Sequence, residues 1–198
     1  MQTQLHADRV DGRIGDTFVL LEHPHVYTIG RRGTADDVLW DVETLRARGV
    51  EVVETDRGGM VTYHGPGQLV GYPIVDLGPG ADLVGYLREL EEAVMATLSV
   101  YGLEGERDEI NTGVWVRRAK IAAIGVRVTR NVTKHGFALN VSTDLSYFAG
   151  IVPCGITDRG VTSMALELRE APPMHDVASA FEHAFANVFG YDRVLVNA

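Results

Sequence analysis

Apolar positions recur along this chain with two different periods. Leu83, Leu87, Leu90, Val94 and Leu98 fall three or four residues apart, with Glu89, Glu91 and Glu92 placed outside the stripe. That spacing predicts one long amphipathic helix over 83–100, closed by Gly102. Val38, Leu39, Val42 and Leu45 repeat the pattern more briefly, and with Gly49 as a stop they predict a surface helix over 35–48. A last helix is expected over 175–189, with Pro172 and Pro173 ahead of its first turn. Between the helices stand short runs rich in Val, Ile, Tyr and Thr, bounded by glycines and prolines. These predict strands at 18–22, 26–29, 50–55, 68–75, 113–117, 120–128, 136–141 and 161–168. Many strands among few helices, with hairpin-like spacing in the middle, point to an α+β fold: a mixed or antiparallel sheet packed on two or three helices.

At 198 residues the chain fits one domain spanning 1–198, and no repeat or linker divides it. With 45% hydrophobic and 23% charged residues it has the composition of a globule and can bury a sizeable core. No apolar run reaches the roughly 18 residues of a membrane span, and the first thirty residues carry no secretion signal, so a cytoplasmic protein with no membrane partner is expected. The net charge of −9 argues against a nucleic-acid partner. Residues 107–135 depart from that average. Arg107, Arg117, Arg118, Lys120, Arg127, Arg130 and Lys134 face only Asp108 and Glu109, a local +5 that either docks an acidic macromolecule or is a set of scattered solvated side chains.

Chemistry concentrates in three places. Residues 57–68, RGGMVTYHGPGQ, hold four glycines, more than a plain hairpin loop needs. Such a loop turns sharply or lets a ligand approach its backbone, with Arg57 able to meet an anion and His64 able to donate or accept a proton. It carries neither the phosphate-cradling nor the dinucleotide glycine pattern. The second is the single cysteine, Cys154, between Pro153 and Gly155 on a loop. A lone thiol forms no internal disulfide and is either filler or a reagent, and as a reagent it needs a nearby cation or base, since a free thiol titrates near 8.5. The third is Lys120, one of two lysines against sixteen arginines, at the head of the apolar run KIAAIGV. Lysine can lose its proton where arginine cannot, although a chance choice of cation explains the same fact. His23 and His25 straddle Pro24 and read as turn structure, because a metal site needs at least three convergent ligands.

Taken together, LLEHPHVYTIGRR, RGGMVTYHGPGQLVGYPIVDL, the glutamate-rich helix from Leu83, GVWV with KIAAIGVRV, KHGFALNV and IVPCGITDRGVTSM resemble the lipoyl(octanoyl) transferases, in that family's order from Leu20 to Met164. The resemblance implies the fold of biotin and lipoate protein ligase catalytic domains. It also implies an acyltransferase that moves an octanoyl group from octanoyl-acyl carrier protein to a lysine on lipoyl domains of 2-oxoacid dehydrogenases and the glycine cleavage H protein. On this family pattern Cys154 is the acyl-thioester cysteine and Lys120 the lysine that lowers its pKa. Arg57, Gly58, Gly59, Met60, Val61, Thr62, Tyr63 and His64 match a substrate-binding segment, as do Ala123, Ile124 and Gly125, and Gly136, Phe137 and Ala138. No metal or other cofactor is implied. Lys134 has no family role and is expected to be exposed. The family usually places a strand and a longer helix before the LLEHP motif, where this chain has about nineteen residues.

Three rivals stand beside this reading. An ATP-dependent lipoate or biotin protein ligase shares the fold and a lysine, with GRR at Gly30 to Arg32 as an echo of its loop, but needs no cysteine. A silent binding module would leave Cys154 incidental. A cysteine hydrolase would use His135 as its base.

Overall fold

The computed structural model describes residues 1–108, 111–152 and 160–192. In chain order these build α1 (Gln2–Val10), β1 (Thr17–Leu21), β2 (Val26–Ile29), α2 (Val42–Ala47), β3 (Glu51–Glu54), β4 (Val61–His64), β5 (Gln68–Ile74) and α3 (Leu83–Val100). There follow β6 (Gly113–Val116), β7 (Ala119–Thr129), β8 (Val132–Asn140), α4 (Met164–Leu168) and α5 (Met174–Phe189). The larger sheet is antiparallel, in the order β1-β5-β8-β7-β6. In the smaller one β2 lies between β3, its parallel neighbour, and β4, its antiparallel neighbour. No helix among the described residues is long and apolar enough to cross a membrane.

The large sheet buries one face under α3 and α5, where Leu90, Val94 and Leu98 meet Val177, Phe181 and Phe185. Phe181 is fully buried, its ring 4.2 Å from that of Phe137 on β8. Asp82 caps α3 by accepting the Val84 N–H, and Gly190 in the left-handed conformation ends α5. The other face of the sheet presents Val70, Tyr72 and Ala138 toward the small sheet. A second core around Tyr27, Ile29, Val61 and Tyr63 holds the small sheet together.

Four expectations change. The helix expected over 35–48 is broken: a short 3₁₀ turn at Ala35–Asp37 leads into extended chain before Asp41 caps α2. The break is tertiary, because Leu39 N–H donates to Gly150 O and Val152 N–H to Asp37 O. Within the glycine-rich loop, Val61–His64 is drawn into β4 by pairing with β2, so only its two ends are loop. Residues 161–168 are not a strand; Val161 bridges to Lys120, and Ser163 then caps α4, whose Met-Ala-Leu-Glu-Leu run consists of good helix formers. Finally, Glu91 is fully buried rather than outside. Its carboxylate accepts from Arg88 Nη1 at 2.7 Å and from Gly113 N–H at 3.0 Å, with Arg107 Nε 3.3 Å away.

The basic stretch is also divided. Arg117 and Arg118 form the two-residue β6–β7 turn, and Arg130 and Asn131 the β7–β8 turn, all four at positive φ as primed hairpin turns require. The eleven residues of β7 separate these turns, at about 3.3 Å per residue roughly 35 Å. Arg107 is engaged by Glu91 and Glu92, and Lys134, expected to be exposed, is ion-paired to Asp56 at 2.7 Å and only 16% exposed.

Candidate active site

An open cleft of about 850 Å³ runs between the two sheets. The Arg57–Met60 loop ties them together at its wall. Its carbonyls accept the N–H groups of Gly30, Arg31 and Arg32 just past β2, and Gly58 N–H donates to Val126 O on β7 at 3.0 Å. This double attachment requires close backbone approach. A Cβ at Gly30 would lie 2.5 Å from Gly59 O, and one at Gly125 would lie 2.8 Å from Gly58 O. Arg57 is buried and clamps the loop: Nε donates to Thr28 Oγ1 at 3.0 Å, Nη1 to Gly58 O at 3.0 Å, and Nη2 to the Thr28 carbonyl. Its guanidinium therefore organises the loop as well as lining the cleft.

Lys120 lies at the start of β7 and lines the cleft, half-buried. Its Nζ sits 4.7 Å from the ring centroid of Trp115, its cross-strand neighbour, close enough for the ring face to favour an ammonium. Room for the side chain comes from Gly113, where a Cβ would meet Lys120 Cε at 2.6 Å. Gly113 is itself held by buried Glu91. The backbone of Lys120 is clasped on both sides, with its N–H donating to Gly160 O and its carbonyl accepting from Thr162 N–H, each at 2.9 Å. The chain returning from the 153–159 segment is thus laid against the lysine. Cys154, the expected nucleophile, lies outside the described residues.

His64 closes β4 and is buried in the cleft wall. Its Nδ1 lies 2.7 Å from Gln68 Oε1; Gln68 Nε2 donates to Asn140 Oδ1 at 2.9 Å, and Asn140 Nδ2 to Thr162 O at 3.0 Å. Burial drives the His64 pKa down to about 3, well outweighing the Gln68 contact, so the ring is neutral. Further along the cleft, His23 Nε2 meets Tyr72 OH at 2.6 Å, and His135 Nε2 meets Asp56 Oδ1 at 2.7 Å. Partial burial pushes the Asp56 carboxyl up, but hydrogen bonds from His135 and Lys134 together outweigh it and hold it at about 2. His25 points elsewhere, bonding Tyr63 OH and stacking on Tyr147 at 4.2 Å. The two histidines flanking Pro24 are thus turn structure, each tied to its own tyrosine.

Most of the expected substrate segment lines one cavity. Arg57, Gly58, Gly59, Val61, Thr62 and His64 do so from the loop and β4; Ala123, Ile124 and Gly125 from β7; Gly136, Phe137 and Ala138 from β8. Met60 and Tyr63 are not among the lining residues. Tyr63 is turned into the small core, where its ring stacks on Tyr147 at 5.0 Å, because β4 alternates its side chains between two faces. Gln68, Asn140, Trp115, Gly113 and Glu91 escaped the sequence reading. Each acts through a contact that strand pairing or helix packing creates, some with residues only four to seven positions away and others far along the chain, and only the polar character of Gln68 and Asn140 inside strands is a signal in the sequence.

The lipoyl protein ligase A/B catalytic domain family matches residues 1–186. The chain belongs to this family. Among relatives, it is 54% identical over 196 residues to an octanoyltransferase of Chloroflexus aurantiacus, covering 97% of this chain and 88% of the relative. An octanoyltransferase of Solibacter usitatus is 52% identical over 195 residues, covering 98% and 88%. Among solved structures, a bi-partite lipoate protein ligase from Thermoplasma acidophilum superposes with a TM-score of 0.79 at 19% identity, covering all of this chain and 82% of that one. Biotin protein ligase from Aquifex aeolicus matches at a TM-score of 0.52 and 13% identity, covering 86% and 70%. These two likenesses establish the fold of the lipoate and biotin protein ligases, which the family resemblance implies, and its α+β class is the one expected from the order of elements.

The family cleft of this chain should be acid-sensitive. Folded His64 takes up a proton only near pH 3, whereas the unfolded chain takes it up near 6.5. Between those values the unfolded state binds more protons, so this contribution is complete above pH 6.5 and is lost as pH falls, by up to about 1.4 kcal/mol per pH unit. His23 and His135, both lowered by burial, act in the same direction. Urea unfolding at pH 7 and pH 5 should show wild type losing about 2 kcal/mol more than His64→Asn. Equal losses would mean that His64 is not buried neutral.

Proposed function

We propose that this chain is an octanoyltransferase, one catalytic domain that moves an octanoyl group from octanoyl-acyl carrier protein to a lysine of lipoyl domains, in the cytoplasm and without cofactor or ATP. The observation that carries the reading is identity of about half, over nearly the whole chain, to proteins named octanoyltransferase. The cleft supports it: a half-buried lysine beside an aromatic ring stands where the chain returns from the segment that contains Cys154.

In the proposed cycle the Lys120 ammonium lowers the Cys154 thiol pKa. The thiolate adds to the donor carbonyl, the new C–S bond replaces the old one, and the carrier's thiolate leaves with a proton from the Lys120 ammonium, which becomes the neutral amine. The lysine amine of the lipoyl domain then attacks the acyl-enzyme. A C–N bond forms, the C–S bond breaks to return Cys154 thiolate, and one amine proton passes to Lys120 or the thiolate. An apolar slot between the sheets, with Val70, Ile124, Val126 and Phe137 on its walls, receives the alkyl chain. At about 0.8 kcal/mol per buried methylene, length selection is graded rather than absolute.

Intact mass tests this directly. Mixing the protein with octanoyl-acyl carrier protein should add one octanoyl group, discharged by an apo lipoyl domain and abolished in Cys154→Ser. No adduct without ATP, followed by octanoylation of the lipoyl domain when ATP and octanoate are supplied, would make the protein a ligase instead. The divided basic stretch sharpens a second expectation. Arg117 and Arg118 are exposed at the Lys120 end of β7, while Arg130 is at the far end. Neutralising the first two should slow acylation by carrier protein several-fold at low salt and spare a small thioester, whereas Arg130→Gln should leave both rates unchanged. Equal effects from both ends would refute local docking.

A further inference from the structure

The hydrogen-bond chain from His64 to Thr162 has only one consistent direction. Its last member is a backbone carbonyl, which can only accept, so Asn140 must present its NH₂ group there and its Oδ1 to Gln68. Gln68 must then donate to that oxygen, which leaves its own Oε1 facing His64. A carbonyl oxygen can only accept, and therefore the His64 proton sits on Nδ1 and the Nε2 lone pair is bare. Gln68 is 1% exposed and Asn140 4%, so water cannot readily take the place of either partner. Nε2 has no hydrogen-bond partner among the described residues, and His64 lines the same cleft as Lys120. The relay also ends beside the lysine: Thr162, which accepts from Asn140, donates its N–H to Lys120 O.

A neutral imidazole whose proton is fixed at Nδ1 is an acceptor directed into the cleft. The transferase reading, on which this inference rests, brings one small donor to that place, the attacking ε-amine. We propose that His64 Nε2 holds one N–H of the acceptor lysine while the nitrogen lone pair faces the acyl carbon, and that Gln68 and Asn140 are positioning residues that set the required tautomer. The proton held by His64 is the one that remains in the product amide; the other is removed by Lys120 or the departing thiolate. Burial makes His64 too weak a base to take a proton at neutral pH, which suits a group that orients an amine rather than ionises with it. The opposite tautomer would present an N–H to the amine and select against its approach.

Two measurements separate this from the transferase reading. Long-range ¹H–¹⁵N correlation spectra of the free protein should show His64 with a protonated Nδ1 and bare Nε2, unchanged from pH 8 to pH 5. In Gln68→Leu the ring should change to the Nε2–H tautomer or to a mixture. In single-turnover assays, His64→Ala should load octanoyl from a small thioester within a few-fold of wild type but discharge to the lipoyl domain about 100-fold more slowly. Gln68→Leu and Asn140→Leu should share the discharge defect, through the rate constant rather than through the half-saturating lipoyl-domain concentration. A protonated Nε2 in wild type, normal discharge in His64→Ala, or a defect confined to loading would each overturn the proposal. Failure of wild type to form any acyl-enzyme would instead overturn the transferase reading and leave the tautomer result standing.

Discussion

Replacing Lys120 by methionine is expected to slow acyl-enzyme formation by about a thousandfold, within the range attributed to a positioned acid–base group. In the proposed cycle two effects combine: Cys154 loses its ionisation, worth at most about thirtyfold at neutral pH, and the carrier's leaving thiolate loses its proton donor. A free thiol near 8.5 is only a few per cent thiolate at neutral pH, and an ammonium beside it raises that fraction. Trp115, with its ring centroid 4.7 Å from Nζ, favours the charged lysine, and Gly113 leaves the space the side chain occupies. The pH dependence of Cys154 alkylation by iodoacetamide reads the effect without any acyl substrate. Its midpoint should move up toward 8.5 in Lys120→Met and return part of the way in Lys120→Arg, which keeps the charge. Arginine cannot release a proton, so Lys120→Arg should still fail to turn over. An unchanged alkylation profile in Lys120→Met would remove the lysine from thiol activation.

The largest effect on stability should come from Glu91. Its neighbour Glu92 looks identical in the sequence, yet Glu91 is fully buried whereas the Glu92 side chain is 50% exposed. Glu91→Ala removes charge-assisted hydrogen bonds to Arg88 and Gly113 and opens space beneath α3. The expected cost is about 3 kcal/mol, or a fall in Tm of roughly 6–12 °C for a domain of this size. Glu92→Ala, which loses an exposed pair with Arg107, should cost less than about 1 kcal/mol. Because Gly113 N–H loses its acceptor next to Lys120, Glu91→Ala should also slow Cys154 alkylation at temperatures where the protein is still folded. Equal melting of the two variants would refute the structural role of the buried carboxylate.

The long elements were legible because their own side chains decide them. The helix over 83–100 coincides with α3, since its apolar residues stand at helical spacing and three of them, Leu90, Val94 and Leu98, are buried as one stripe, while Leu83 at its start stays exposed. The strands at 26–29 and 68–75 were found nearly to their ends for the analogous reason. Short segments went the other way. Val38 and Leu39 belong to a helical spacing, but backbone groups of Gly150 and Val152 pull the chain there into extended pairing, and no local pattern announces a partner more than a hundred residues away. The sequence pattern places Glu91 outside because a charge is normally solvated; the arginines that allow its burial come from the preceding turn and from a loop after the helix.

The candidate site divides along the same line. Glycine clustering by itself marks the 57–68 loop, since few other functions need so many flexible backbones, and the rarity of lysine draws attention to Lys120. Composition and periodicity determined the fold class and these residue types marked candidate positions, because each is a property of side chains and their spacing. Tertiary structure alone decided that the loop and β7 share one cleft, that Gly113 makes room for Lys120, that Arg117 and Arg130 stand at opposite ends of a strand, and that His64 is a neutral acceptor. Those outcomes depend on strand pairing, on hydrogen bonds and close contacts both across a hairpin and between residues tens of positions apart, and on burial, which becomes defined only when the sheets and helices pack.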